Sequence, residues 1–399
     1  MKYVVLVPDG MADYPIASLN GYTPLEVAKT PNFDMIANKG MMGMVKTVPH
    51  GFTPASDVAN LSLFGYDPRK YYPGRAPLEA ANLNVELGEN DLAFRCNLVT
   101  IFDNKMVDYS AGHITSAEAH KLIRLLDEKL GSETIKFFPG TSYRHLLVIK
   151  NNNKLDIKDL KCTPPHDITG KQIKKYLPKG SLAETLTHLM EESTKVLSAH
   201  EINFVRVDLK ENPANSIWLW GFGQGASMES FYEKYGLKGA VISAVDLIKG
   251  IGKIVGLKVI NVEGATGYYD TNYAGKSDAA IEVLKKDDYV YVHVEAPDEA
   301  GHNGDLQEKI LAIERFDQQI VGKILNYLEG QNCDYRLLVV PDHATPIELK
   351  THTADPVPFA MIGKNIVPAA AKAFSEAQAK LSDKKFDSGE ELIKYFIKT

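Results

Sequence analysis

Cysteine is scarce in this chain. Cys96, Cys162 and Cys333 are the only three, they stand far apart and their number is odd, which argues against both a disulfide framework and a thiolate metal knot. Positive charge is short as well. Lys and Arg number 45 against 51 Asp and Glu, for a net charge of -6, and no basic stripe of the kind that binds nucleic acid stands out. Long apolar runs are missing too: the opening stretch 3–7 is cut by Pro8-Asp9-Gly10, far short of the roughly 20 residues a bilayer span requires. A cytoplasmic protein is expected, with a small or metal-bridged substrate and neither nucleic acid nor membrane as partner. No internal repeat is visible, and no nucleotide cradle: Gly275-Lys276-Ser277 ends like a phosphate loop, but Asp270 occupies the place of its opening glycine.

What is present is the composition of a folded protein, 44% apolar and 24% charged over 399 residues, long enough for one large domain and a smaller companion. The run Tyr3-Val4-Val5-Leu6-Val7 reads as a strand buried on both faces. A helix over 24–38 and a strand over 43–48 follow, and the rhythm resumes with strands at 241–243, 259–262, 289–294, 336–340 and 359–362. Apolar residues at three- and four-residue steps predict one helix over 305–328. These segments imply an α/β fold with a doubly wound, mainly parallel sheet built from residues 1–91 and 219–399. The middle differs, with strands expected at 93–102, 135–138 and 143–150, helices at 116–130 and 181–194, and breaks at 151–154 and 163–165. It reads as an inserted, smaller α+β domain over 92–218.

Potential ligands collect at the carboxyl ends of the predicted core strands, where open α/β sheets bind their ligands. Asp9 follows the first strand. Asp298 and His302 follow the strand 289–294 and, four residues apart, share one helical face. Asp342-His343 ends the next strand, and His352 comes shortly after. Taken singly, these are a turn aspartate, a surface pair and loop histidines. Their coincidence suits two divalent ions held close together for an in-line phosphoryl displacement. Mixed oxygen and nitrogen donors favour Mn2+ or Zn2+, with Mg2+ as an alternative. Ser56, in Thr53-Pro54-Ala55-Ser56-Asp57, is the candidate nucleophile: at the first position of a helix its hydroxyl sits by the positive end of the dipole, and a metal would activate it.

In this order, Asp9, Thr53 to Asp57, Asp298 to His302, Asp342-His343 and His352 resemble the alkaline-phosphatase superfamily. Within it the chain is similar to the archaeal-type cofactor-independent phosphoglycerate mutases, through Pro8-Asp9-Gly10-Met11, Leu63-Phe64-Gly65-Tyr66-Asp67-Pro68, Gly74-Arg75-Ala76-Pro77-Leu78-Glu79-Ala80, Tyr143-Arg144-His145 and Ile242-Ser243-Ala244-Val245-Asp246-Leu247. The resemblance implies that Asp298, His302 and His352 bind one ion, and that Asp9, Asp342, His343 and the Ser56 oxygen bind the other. Ser56 would take the phosphoryl group from 3-phosphoglycerate and return it to the 2-hydroxyl, without a 2,3-bisphosphoglycerate primer, while the insert closes over the site and excludes water. Arg75, Arg95, Arg144, His145, His166 and Lys276 are the candidate binders of the substrate's phosphate and carboxylate. Two stretches depart from the family pattern: 107–113 has no arginine, and Trp220 stands before Gly221 where an arginine is expected. A homoserine kinase-type phosphotransferase or a metal-dependent phosphatase on the same scaffold is therefore the alternative.

Overall fold

The computed structural model describes residues 1–151, 157–225, 228–368 and 371–398; positions 152–154 of the expected polar break lie outside them. In chain order the strands are β1 (Lys2–Pro8), β2 (Met41–Val45), β3 (Leu92–Phe102), β4 (Lys105–Asp108), β5 (Ile135–Thr141), β6 (Arg144–Ile149), β7 (Ser216–Gln224), β8 (Gly239–Ile242), β9 (Lys258–Ile260), β10 (Tyr289–Val294), β11 (Tyr335–Val339), β12 (Val357–Gly363) and β13 (Lys385–Phe386). The chain separates into two compact units, Met1–Tyr72 with Met228–Thr399, and Pro73–Ser227.

The first unit is built on an eight-stranded sheet in the order β13-β2-β12-β11-β1-β10-β8-β9. It is mainly parallel: β1 runs parallel to both β10 and β11, and β12 is antiparallel to its neighbours β11 and β2. Val4, Val5, Leu6 and Val7 are wholly buried, as an apolar run without alternation requires of a central parallel strand. β10 and β11 follow one another in sequence among the strands yet flank β1 on opposite sides. Their crossover leaves a switch point above β1, where the loops after all three strands open toward one another.

The expected helix 24–38 is two helices, Pro24–Val27 and Pro31–Lys39. Proline at 31 disfavours helical geometry at the residue before it and breaks the run. The helix expected over 305–328 also divides, into Leu306–Arg315, a π-helical segment Phe316–Gly322 and Lys323–Glu329. Apolar spacing does not register the change, because Phe316, Ile320 and Ile324 stay buried throughout.

The second unit holds a five-stranded sheet in the order β4-β3-β6-β5, with β7 paired to β3, all antiparallel. Helices Ser116–Leu130 and Ala183–Ser198 supply Leu122, Leu126, Leu186 and Leu189 to a core shared with Phe94, Leu98 and Trp218. This unit is wider than 92–218. Helix Arg75–Asn82 buries Ala76 and Ala80 against Ala93, Leu146 and Val148 of the sheet, and β7 runs on to Gln224, which carries the limits out to 73 and 227.

Candidate functional site

Three strand ends and one helix of the first unit supply the site. Asp9 follows β1, helix Ala296–Asn303 after β10 carries Asp298 and His302, and the turn after β11 carries Asp342 and His343. Ser56 opens helix Ser56–Leu63, whose N-cap, Ala55, has no side chain to cap it. The Ser56 Oγ therefore stands at an uncapped positive helix end. It lies 3.0 Å from Nε2 of His343.

His343 is fully buried and faces two clusters. Its Nε2 is 3.5 Å from Asp9 Oδ1 and 3.4 Å from Asp342 Oδ2, and its Nδ1 is 4.0 Å from Asp298 Oδ1. On the second side, Asp298 Oδ2 lies 3.2 Å from His302 Nε2 and Asp298 Oδ1 lies 3.4 Å from His352 Nε2, and those two imidazole nitrogens are 2.8 Å apart. Potential ligand atoms of Asp9, Asp342 and His343 lie within 4.8 Å of one another, as do those of Asp298, His343 and His352. Ser56 and the six expected Asp and His ligands thus fall in one continuous patch.

The electrostatics fit a cation. Both carboxylate oxygens of Asp9 are buried without a hydrogen-bond partner, a costly state for a carboxylate unless positive charge neutralises it. Burial first, then the charges of Asp342 and Asp298, push the Asp9 carboxyl well above the usual carboxylate range. Asp298 goes the other way: burial raises it, but hydrogen bonds from His302 and His352 outweigh that and hold it well below. His302 is pushed up to about 9, chiefly by its hydrogen bond to Asp298. Divalent ions suit such a donor set.

Several residues at this site escaped the sequence reading. His293, buried in β10, places Nε2 3.0 Å from Asp9 Oδ2, although the two are not aligned as a hydrogen bond. Thr345 donates to Asp298 Oδ1, and its hydroxyl is 3.1 Å from His343 Nδ1. Asn60 reaches Asp342 from the Ser56 helix. A histidine inside the apolar run 289–294 was the one available signal; nothing in the sequence marks the other two. Gly10, at φ +62°, has no room for a side chain, since a Cβ would come within 2.5 Å of Asp298 Oδ1.

The expected substrate binders are placed less uniformly. Lys276 is fully buried in the first unit, its Nζ donating to the His293 carbonyl at 3.1 Å, and burial lowers it to about 8. In the second unit Arg95 forms a two-point ion pair with Glu79 and lies 4.3 Å above the Trp220 ring. Burial, and after it repulsion from Arg75 and Arg144, lowers its guanidinium against the pull of Glu79. The His166 ring packs edge-on to Trp220 at 5.2 Å. Arg144 points to the same face of the sheet as Arg95. His145, its neighbour in β6, points to the other, pairing with Cys96, and Nδ1 accepts from the Gly140 N–H at 3.0 Å. Within the second unit Arg75, Arg95, Arg144 and His166 gather, and His145 lies on the opposite face of the sheet.

An open α/β sheet that brings carboxylates, imidazoles and one serine together at its switch point defines a class, the metal-dependent phosphotransfer enzymes. Comparison narrows it. A family model described as 2,3-bisphosphoglycerate-independent phosphoglycerate mutase matches residues 37–203. The protein of that name from Methanosarcina acetivorans is 53% identical over 399 residues, covering 100% of both chains. Among solved structures, a Pyrococcus horikoshii protein superposes with a TM-score of 0.83 at 30% identity, covering 99% of this chain and 96% of its own. A cofactor-independent phosphoglycerate mutase from Thermoplasma acidophilum gives 0.71 at 26% identity, covering 99% of both. The chain belongs to the 2,3-bisphosphoglycerate-independent phosphoglycerate mutase family. It is accordingly an enzyme of the isomerase class, and the kinase alternative is not favoured. Among the described residues no helix is long and apolar enough to cross a membrane.

Proposed function

We propose that this chain interconverts 3-phosphoglycerate and 2-phosphoglycerate, with Ser56 carrying the phosphoryl group in between. The observation that supports this most directly is the Ser56 hydroxyl at an uncapped helix N-terminus, 3.0 Å from a histidine that faces both clusters of potential ligands. Asp298, His302 and His352 would hold one divalent ion, and Asp9, Asp342, His343 and Ser56 Oγ the other, with Mn2+ or Zn2+ favoured and Mg2+ an alternative. When bound, the ions would lower the pKa of the serine hydroxyl and neutralise charge gathering on the phosphoryl oxygens.

The Ser56 oxygen attacks phosphorus in line, and the bond to the 3-oxygen of the glycerate breaks as the Oγ–phosphorus bond forms. The freed 3-oxygen takes up a proton, which balances the one the Ser56 hydroxyl gives up on attack. The glycerate reorients and its 2-hydroxyl attacks the phosphoserine, restoring Ser56; no 2,3-bisphosphoglycerate enters. The positive end of helix Ser56–Leu63 favours the anionic phosphoryl group throughout. Arg75, Arg95, Arg144 and His166 are the proposed recognition surface for the substrate's anionic groups, arginine offering bidentate contacts to a carboxylate. Lys276 and His145, both buried, would act on the substrate only indirectly.

Incubating purified protein with 3-phosphoglycerate and Mn2+, and following 2-phosphoglycerate by phosphorus NMR, tests the reading. Turnover by the intact protein and none by a folded Ser56→Ala variant is expected. Release of free phosphate in place of 2-phosphoglycerate would contradict it.

A further inference from the structure

Asn60 lies one helical turn after Ser56, is fully buried, and uses both ends of its side chain. Its Nδ2 donates to the Ser56 carbonyl at 2.8 Å and to Asp342 Oδ2 at 2.8 Å, and its Oδ1 accepts from the Tyr291 hydroxyl at 2.6 Å. Tyr291 is equally buried in β10, its ring stacked on Phe64 at 4.1 Å. Asp342 is otherwise held through Oδ1, by the N–H groups of Gly10 at 3.1 Å and His343 at 2.9 Å. One amide therefore ties the serine helix to the aspartate on the neighbouring strand end.

We infer that Tyr291 and Asn60 form a positioning relay that sets the distance and angle between Ser56 and Asp342. An asparagine amide can flip, and its two ends differ: only Nδ2 can donate to a carboxylate. The Ser56 carbonyl and Asp342 Oδ2, both acceptors, exclude the flipped state, in which oxygens would face each other across 2.8 Å, and the Tyr291 hydroxyl, donating to Oδ1, holds the other end of the amide in place. The relay touches no reacting atom; it donates to Asp342 Oδ2, the oxygen that also lies 3.4 Å from His343 Nε2. Partners of this kind govern how well a carboxylate presents itself to a cation, and losing one typically costs about 10- to 100-fold in metal affinity or activity. Tyr291 acts through Asn60 alone, so its removal matters only while Asn60 is present.

The inference rests on the roles proposed for Ser56 and Asp342, and its test separates the two. Asn60→Leu, Tyr291→Phe and the double variant are compared by steady-state kinetics and by calorimetric titration of the metal-free protein with Mn2+ alone. Expected for Asn60→Leu is a fall in kcat of ~100-fold with KM for 3-phosphoglycerate within about twofold, and Mn2+ binding weaker by ~10-fold or more. Tyr291→Phe should lose ~10-fold in kcat, and the double variant should match Asn60→Leu within about twofold. Losses that multiply, or Mn2+ binding unchanged in Asn60→Leu, would overturn the relay. If Asn60→Leu fails to fold, Tyr291→Phe decides alone: weaker Mn2+ binding supports the relay and unchanged binding refutes it. A Ser56→Ala variant that still turns over defeats the underlying reading, whereas an inactive Ser56→Ala beside a normal Asn60→Leu defeats the relay only.

Discussion

Replacing Lys309 with methionine removes a charge that the fold buries completely. Lys309 projects from helix Leu306–Arg315, and its Nζ donates to Asp13 Oδ2 at 2.7 Å and to the Thr345 carbonyl at 2.8 Å. Asp13 in turn accepts from the N–H of Tyr14 at 2.8 Å and of Ile347 at 3.1 Å, so the pair clamps the turn that carries Thr345 against the loop after β1. Burial depresses the Lys309 ammonium and Asp13 opposes that, so the site tolerates the charge only because its partner is present. Methionine matches the stem but leaves the Asp13 carboxylate buried without its cation, a loss of about 3–5 kcal/mol. The unsatisfied Thr345 carbonyl is within that range rather than added to it, since neighbouring losses do not sum. Urea unfolding should show a lower midpoint with the same slope. The double variant Lys309→Met with Asp13→Asn removes both charges and should recover at least ~1 kcal/mol of the single loss. A single loss below ~1 kcal/mol, or strictly additive losses, would refute the reasoning.

Three further outcomes are expected. Gly10→Ala forces a Cβ into Asp298 Oδ1 and Thr345 Oγ1 at a backbone angle glycine alone adopts readily; calorimetric titration should show Mn2+ binding weakened at least ~10-fold, by displacement of a proposed ligand. Asp317, in the π-helical segment, caps helix Pro31–Lys39 from afar, accepting from the N–H of Phe33 at 2.8 Å and of Asn32 at 3.3 Å where Thr30 provides no side-chain cap. Asp317→Ala should cost ~1–2 kcal/mol in urea unfolding, and Asp317→Asn less. Glu376 is pushed by burial from 4.5 up to about 6. A carboxyl raised in the fold contributes stability that is complete below its unfolded value and is lost as pH rises through its folded one, so Glu376→Gln should remove a one-proton slope between pH 4.5 and 6 from the stability profile.

How much of this was legible depends on whether a residue announces itself through its own chemistry or through its partner's. β1 and β10 were readable because an unbroken apolar run is what a strand covered on both faces needs. That Asp9, Asp298, Asp342 and His343 would come together was readable because each stands shortly after such a run, at the carboxyl end of a core strand. Helix Ser116–Leu130 fell on the predicted residues because Thr115 caps it and Gly131 ends it. The π-helical segment was not readable, since burial spacing survives a change in hydrogen-bond register, and neither was the edge strand β13 of two residues. Asn60 and Thr345 look like ordinary polar residues until the strands bring Asp342 and Asp298 to them. Arg144 and His145 were both expected to bind the substrate's anionic groups, but a strand sends neighbours to opposite faces.

In the proposed reaction the phosphoryl group rests on one particular oxygen between its two positions on the glycerate. Acid quenching of the enzyme during turnover with 3-phosphoglycerate, followed by mass spectrometry of its peptides, reads that directly. Phosphate is expected on the peptide containing Ser56, at Ser56, and none there in the Ser56→Ala variant. Phosphate trapped on a different side chain, or turnover surviving in Ser56→Ala, would contradict it.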